Sequence, residues 1–210
     1  PNQINDNATI TWISCFVGND GSINVAPTVE NNNFTYFWSG PGTAGGSTGT
    51  SVNALTATLY TLTVTPTNGC PAEVFTYDMT VYEPLPISMS TTLSFYDYDL
   101  DGSGFEVSCY GATDGIATVN VSGGTGPYTY LWSDPLVQTT NPATALTAGT
   151  YTCLVTDANG CPPQSTSVNL TEPALVESGV TPFDNTCNGI NNGYAEVFPT
   201  GVSPANYTVW

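Results

Sequence analysis

Three segments of this chain spell one pattern: "SCFVGNDGSINV" from Ser14, "SCYGATDGIATV" from Ser108 and "TCNGINNGYAEV" from Thr186. In each, a Trp follows the Cys at the same distance. Cys15 and Trp38, Cys109 and Trp132, and Cys187 and Trp210 are all 23 residues apart. Constant spacing around unlike side chains means that one structural unit is used repeatedly, and this constraint precedes every other reading. The rear halves align too. "NALTATLYTLTVTPTNGC" ends at Cys70, "TALTAGTYTCLVTDANGC" ends at Cys161, and both repeats close on Glu-Pro, at Glu83-Pro84 and Glu172-Pro173. The boundaries that follow are 1–84, 85–173 and 174–210, the last being the front part of a third repeat. Pro173 precedes Cys187 by the same 14 residues that separate Pro1 from Cys15, whereas Pro84 and Cys109 are 25 apart. The second repeat therefore carries an insertion of 11 residues ahead of its Cys. The first and last residues fall inside the pattern, so the chain reads as a portion of something longer.

The local pattern is β throughout. In "YTCLVTD", Tyr151, Cys153 and Val155 fall on one face and Thr152, Leu154 and Thr156 on the other; "YTLTVTP" repeats this with Tyr60, Leu62 and Val64. Thr and aromatic side chains suit half-buried strands. "NDG", "TDG", "NNG", "SGG" and "ANG" supply turns, and Asp20 and Asp114 read as turn formers. No stretch has the period of an amphipathic helix. Short strands with frequent turns, in units of this length, predict an all-β protein of tandem Ig-like (PKD-like) β-sandwich repeats in a rod, with the Trp of each unit in its core.

Charge narrows the partners. The chain has 17 acids and no Lys, Arg or His, a net charge of -17. Nucleic-acid binding relies on cationic groups and is excluded as an expectation, as is attachment to anionic lipid. No apolar run is long enough to insert directly into a membrane. Without His or Lys the common acid–base and Schiff-base chemistry is missing, so the chain is not expected to be an enzyme. Divalent cations are the natural counter-species.

The inserted segment "FYDYDLDGSGFE" bears on that point. Asp97, Asp99 and Asp101 alternate and Gly102 follows, as at positions 1, 3, 5 and 6 of an EF-hand loop, with Ser103 at position 7. Position 12 is Ser108, so the bidentate Glu is missing, and Glu106 substitutes only in a shorter loop. Two readings stand: a calcium site formed by Asp97, Asp99, Asp101, Ser103 and Glu106, or a solvated acidic insertion. Bound calcium near the junction of two repeats would stiffen it.

The pattern C-x-G-x-x-D-G, then S-G-G-T-x-P-Y-T-Y-x-W-S, then A-G-T-Y-T-x-x-V-T-D-A-N-G-C, then E-P resembles the SprB-type repeat of giant cell-surface adhesins of gliding Bacteroidota. Residues 109–173 follow it almost throughout, 15–84 more loosely, and 174–210 over the front half. The resemblance implies an extracellular surface protein exported through the type IX secretion system, with a role in adhesion or gliding motility. Its expected partners are surface polysaccharide or other cell-surface ligands, and further copies of itself. Two alternatives come from other classes. One is a carbohydrate-binding module of a secreted enzyme, with Tyr96, Tyr98 and Tyr110 as stacking residues. The other is a self-assembling extracellular filament subunit, whose like-charged copies need cations or edge-strand pairing.

Six Cys in a chain of this composition point to an oxidising compartment. One Cys precedes and one follows the body of each complete repeat, so Cys15–Cys70 and Cys109–Cys161 are the expected disulfides; four buried thiols are the competing reading. Cys153 takes the place of Leu62 and is expected to be an inert core filler. The partner of Cys187 is expected beyond Trp210.

Overall fold

A computed structural model describes residues 8–26, 34–43, 46–67, 74–97, 104–183 and 194–200. It has fifteen strands: β1 (Ala8–Thr11), β2 (Gly21–Val25), β3 (Phe34–Ser39), β4 (Ser47–Thr48), β5 (Ser51–Leu55), β6 (Thr58–Pro66), β7 (Phe75–Val81), β8 (Ser88–Leu93), β9 (Gly115–Ser122), β10 (Thr129–Trp132), β11 (Ala143–Leu146), β12 (Gly149–Thr156), β13 (Gln164–Leu170), β14 (Glu177–Phe183) and β15 (Tyr194–Thr200). Among the described residues there is no helix, so the fold is all-β. The chain forms two compact units. The first comprises Pro1–Ser88, Ser122–Thr129 and Thr156–Gln164; the second comprises Met89–Val121, Tyr130–Val155 and Ser165–Trp210.

In the first unit, β1-β2-β5 form one antiparallel sheet and β4-β3-β6-β7 the other. A single core takes residues from both. Ile23, Val25, Val52 and Leu55 come from the first sheet, and Trp38, Tyr60, Leu62, Val64, Met79 and Val81 from the second. Consecutive strands alternate between the sheets at β2–β3 and β5–β6, the Greek-key crossing of an Ig-like sandwich. Burial follows the two-residue period: along β6, Tyr60, Leu62 and Val64 are buried and their neighbours are not. Trp38 is fully buried on β3, where its indole N–H donates to the Gly49 carbonyl at 2.9 Å.

The second unit repeats this with β8-β9-β11 and β10-β12-β13. The buried residues correspond position by position. Ile13, Ile23, Val25, Trp38, Leu55, Tyr60, Leu62 and Val81 are matched by Val107, Ala117, Val119, Trp132, Leu146, Tyr151, Cys153 and Leu170, all buried. Cys153 does occupy the place of Leu62. It is fully buried, and burial raises its thiol pKa, against a smaller opposite effect of a backbone hydrogen bond at Leu131. The pairing β1–β2 recurs as β8–β9 and again as β14–β15, which runs in register from Glu177↔Thr200 to Phe183↔Tyr194.

Each sandwich has a tyrosine corner, an Ig-fold device in which the first Tyr of a central strand bonds back across the turn before it. Tyr60 Oη donates to the Thr56 carbonyl at 3.1 Å and accepts from the Thr56 N–H at 3.1 Å. Tyr151 Oη donates to the Thr147 carbonyl at 3.1 Å. Tyr60→Phe leaves both polar groups of Thr56 without this partner at a partly buried site. It is expected to destabilise the first unit by about 1–2 kcal/mol, read as a lower midpoint in urea unfolding.

Candidate functional site

Beyond their cores and tyrosine corners, both sandwiches share the loop that leads into β2 and β9. It is built from backbone N–H groups and carboxylates. In the first repeat, Ser14 N–H donates to Asp20 Oδ1 at 3.0 Å, Gly18 N–H to the Cys15 carbonyl at 2.9 Å, and Val17 N–H to Glu83 Oε2 at 2.7 Å. In the second, Ser108 N–H donates to Asp114 Oδ1 at 3.1 Å, Ala112 N–H to the Cys109 carbonyl at 3.0 Å, and Gly111 N–H to Glu172 Oε2 at 2.7 Å. Hydrogen bonds from Ser14 and Ser108, side chain and backbone, hold the carboxyls of Asp20 and Asp114 below the usual Asp pKa. Both are therefore charged at neutral pH.

This geometry gives the Asp-Gly and Glu-Pro signatures more than the roles of turn former and repeat boundary. The Asp of Asp-Gly reaches back six residues to tie the loop, and the Gly is required by packing. A Cβ on Gly115 would lie 2.5 Å from Leu170 Cδ2 and 2.9 Å from the Leu146 carbonyl; one on Gly21 would lie 2.8 Å from Val81 Cγ1. The Glu of Glu-Pro accepts the N–H of the loop residue two past the Cys. That residue sits in the left-handed region, with φ of 60° at Val17 and 70° at Gly111. A β-branched side chain is costly there, and Val17 recovers little by burial because it is 75% exposed. Val17→Gly is expected to stabilise the first unit by about 1 kcal/mol and Gly111→Val to destabilise the second by a similar amount, measured as opposite shifts of denaturation midpoint.

The loop after β12 is ordered around one buried acid. Asp157 Oδ1 accepts the Cys161 N–H at 3.0 Å and Oδ2 accepts the Thr125 N–H at 3.2 Å, while Ala158 N–H donates to the Thr125 carbonyl at 2.8 Å. Asn159 Nδ2 donates to the Ser14 carbonyl at 2.8 Å and to Thr125 Oγ1 at 3.2 Å. All of these residues lie in the first unit. There Cys161 is disulfide-bonded to Cys15, with the Cα atoms 5.5 Å apart and a sequence separation of 146. Beside the bond lies a groove of about 280 Å³ lined by Phe16, Pro84, Leu85, Pro86, Ile87 and Pro162, among others.

This pairing corrects the expected Cys15–Cys70 and Cys109–Cys161. The reason is strand direction. Gly21 pairs with Leu55 at one end of the sandwich, and β6 begins just after Leu55 and runs to Pro66 at the other end. The loop before β2 and the loop after β6 therefore leave opposite ends. In the second repeat Gly115 pairs with Leu146, and the eight residues of β12 carry the chain away from that end. At roughly 3.3 Å per residue this is about 26 Å, far beyond the Cα separation of roughly 4–7 Å that a disulfide spans. Cysteines at opposite ends of one sandwich cannot meet. Cys109 is free and exposed, and Cys153 is free and buried. Cys70 and Cys187 lie outside the described residues.

The acidic insertion is described only at its base, since Asp99, Asp101 and Ser103 lie outside the described residues, as does Tyr98. Tyr96 and Phe105 close the base by exchanging N–H···O bonds of 2.8 and 2.9 Å. Glu106 is engaged: its Oε2 accepts the Thr171 N–H at 2.8 Å and the Thr171 hydroxyl at 2.7 Å. Burial works against ionisation of Glu106, and the hydroxyl and N–H of Thr171 outweigh it, so its pKa is lowered. Glu106 thus anchors the insertion beside the end of β13. Of the aromatic candidates, Tyr96 Oη donates to the Asp114 carbonyl at 3.4 Å, and Tyr110 is exposed. An aromatic pair that the sequence reading missed, Trp12 and Tyr82, is exposed on the first unit, with centroids 5.7 Å apart and rings at 78°.

Residues 106–137, which include the Cys109 loop, β9 and β10, match the SprB repeat family. No curated protein matches the chain. Among solved structures, the chain is similar to the amphioxus IgVJ-C2 molecule, at 14% identity and a TM-score of 0.30, covering 79% of this chain and 96% of that one.

Proposed function

We propose that this chain is a structural and adhesive repeat region of a large extracellular cell-surface adhesin or surface filament. The observation that supports it best is the reuse of one cysteine loop, with the same carboxylate-to-backbone bonds in two sandwiches, the second of which holds the segment similar to the SprB repeat. The role follows from that construction. Each sandwich buries a core of its own, and the Cys15–Cys161 bond ties the first sequence repeat to the second covalently. In the chain-entropy model, closing a loop of 146 residues contributes about 5 kcal/mol. A disulfide also fits the oxidising space outside the cell. The dense negative charge keeps many copies from aggregating. Surface polysaccharide and other copies of the protein are the proposed partners, engaged weakly and many times. Gliding motility and type IX export are the finer form of this proposal, as the resemblance implies. We read the chain as non-catalytic because it has no His, Lys or Arg to move protons or hold oxyanions.

The second reading, a carbohydrate-binding module, has the exposed Trp12 and Tyr82 in its favour. Their near-perpendicular rings do not form one flat platform for a sugar face, so the adhesin reading is preferred. Immuno-electron microscopy of the native cells, with an antibody to these repeats, tests the proposal. Label along fibres or a coat projecting from the surface is expected. Label confined to a released hydrolase would overturn it in favour of the module.

A further inference from the structure

The two cysteine loops are built alike, yet only one is bonded. Cys15 is closed by Cys161, while Cys109 is free and exposed. The bonds that shape the first loop recur in the second. Asp114 takes the place of Asp20, Glu172 that of Glu83, and the Ala112 N–H that of Gly18. Tyr110 is 55% exposed where Phe16 is 50% exposed.

The first loop has an occupant. It is an Asn-Gly-Cys loop organised by a buried Asp, and it arrives with two attachments: the Asn159 amide on the Ser14 carbonyl, and Cys161 on Cys15. It belongs to the sequence repeat that follows Cys15's own. Cys109 cannot use the rear cysteine of its own repeat, because β12 separates the two ends and Cys161 is already bonded. Cys153 is buried in the core.

We propose that the Cys109 loop is the docking and cross-linking site for the Asn-Gly-Cys loop of the next repeat along the chain. The Ser108 carbonyl receives the Asn side-chain amide, and Cys109 forms a disulfide with the partner cysteine. The two thiols lose two protons and two electrons. A dithiol–disulfide oxidoreductase of the oxidising compartment accepts them, its own disulfide being reduced to two thiols. Repeated along the chain, the rule gives staggered cross-links in which the front cysteine of each repeat is bonded to the rear cysteine of its successor. This rests on the tandem-repeat reading and adds to it a covalent rule.

The test completes the third repeat. The full chain, with Cys70→Ser, is extended after Trp210 by a second copy of residues 133–173 that carries Cys153→Leu, as at Leu62, so that the copy adds one cysteine and Trp210 takes the place of Trp132. The protein is oxidised in glutathione buffer, the free thiols are alkylated, and the disulfides are mapped by mass spectrometry after cleavage at Asp and Glu, since trypsin has no site and Asp114 and Asp157 separate Cys109, Cys153 and Cys161. The expected result is Cys15–Cys161 together with Cys109 bonded to the added cysteine, with Cys187 alkylated. A bond between Cys187 and the added cysteine, or an alkylated Cys109, overturns the proposal.

A second measurement needs no extension. The chain carrying Cys70→Ser and Cys187→Ser is mixed with a peptide of residues 156–164 whose cysteine is a thiopyridyl mixed disulfide. Attack by the Cys109 thiolate forms the new disulfide and releases thiopyridone. Capture is expected to be about tenfold faster than with the Asn159→Ala peptide, the worth of one hydrogen bond. Equal rates overturn the proposal. Either failure leaves the adhesin reading standing, whereas cell-surface label absent from fibres or coat removes that reading without touching the chemistry of Cys109.

Discussion

The direction of one strand governs what this chain can do with its cysteines. β6 and β12 begin at the end of the sandwich where β2 and β9 start, beside the loop that holds the front cysteine, and run away from it to the far end. No rotamer or loop adjustment shortens a distance of about 26 Å to a disulfide's reach. A repeat of this topology therefore cannot staple itself. Its front cysteine is available only to something outside the repeat, and in the first unit that is Cys161 of the next one.

The second constraint is the absence of cations. Acids that other proteins would pair with Lys or Arg are here given to backbone N–H groups, which satisfy a carboxylate without a counter-charge. Asp20, Glu83, Asp114 and Glu172 shape the cysteine loops in this way, and Asp157 shapes the Asn-Gly-Cys loop. Asp134 is the most demanding case. It is 3% exposed, and its burial opposes ionisation; the N–H groups of Gln138 and Leu136 and the Gln138 side-chain amide overcome this and lower its pKa.

Much of the fold was legible in the sequence. Alternation picked out Tyr60, Leu62 and Val64 and their partners Tyr151, Cys153 and Val155, because burial on one face of a strand imposes a period of two whatever the side chains are. The constant Cys-to-Trp spacing identified Trp38 and Trp132 as equivalent core residues. The disulfide was misread because equal spacing within each repeat suggests closure within it. Spacing along the chain does not reveal which end of a sandwich a loop occupies; the Ig-like strand order, which the sequence did suggest, was the signal that could have done so. The Glu of Glu-Pro read only as the close of a repeat because its partner is a backbone N–H more than 60 residues earlier, and a backbone group leaves no mark in sequence. Trp12 stood out by no pattern, being exposed at an irregular position beyond β1.

With the Cys15–Cys161 bond intact, force applied to the two ends of the chain bypasses everything between those residues. Single-molecule pulling between the termini, with and without reductant, measures this directly. At about 3.4 Å per residue, the oxidised chain should release about 500 Å less contour length than the reduced one, since 146 residues are held within the bond. Disulfides within each repeat would hide only 55 residues from Cys15 to Cys70 and 52 from Cys109 to Cys161, or about 360 Å. A difference near that value, or none, would contradict the claim that the first repeat is covalently joined to the second.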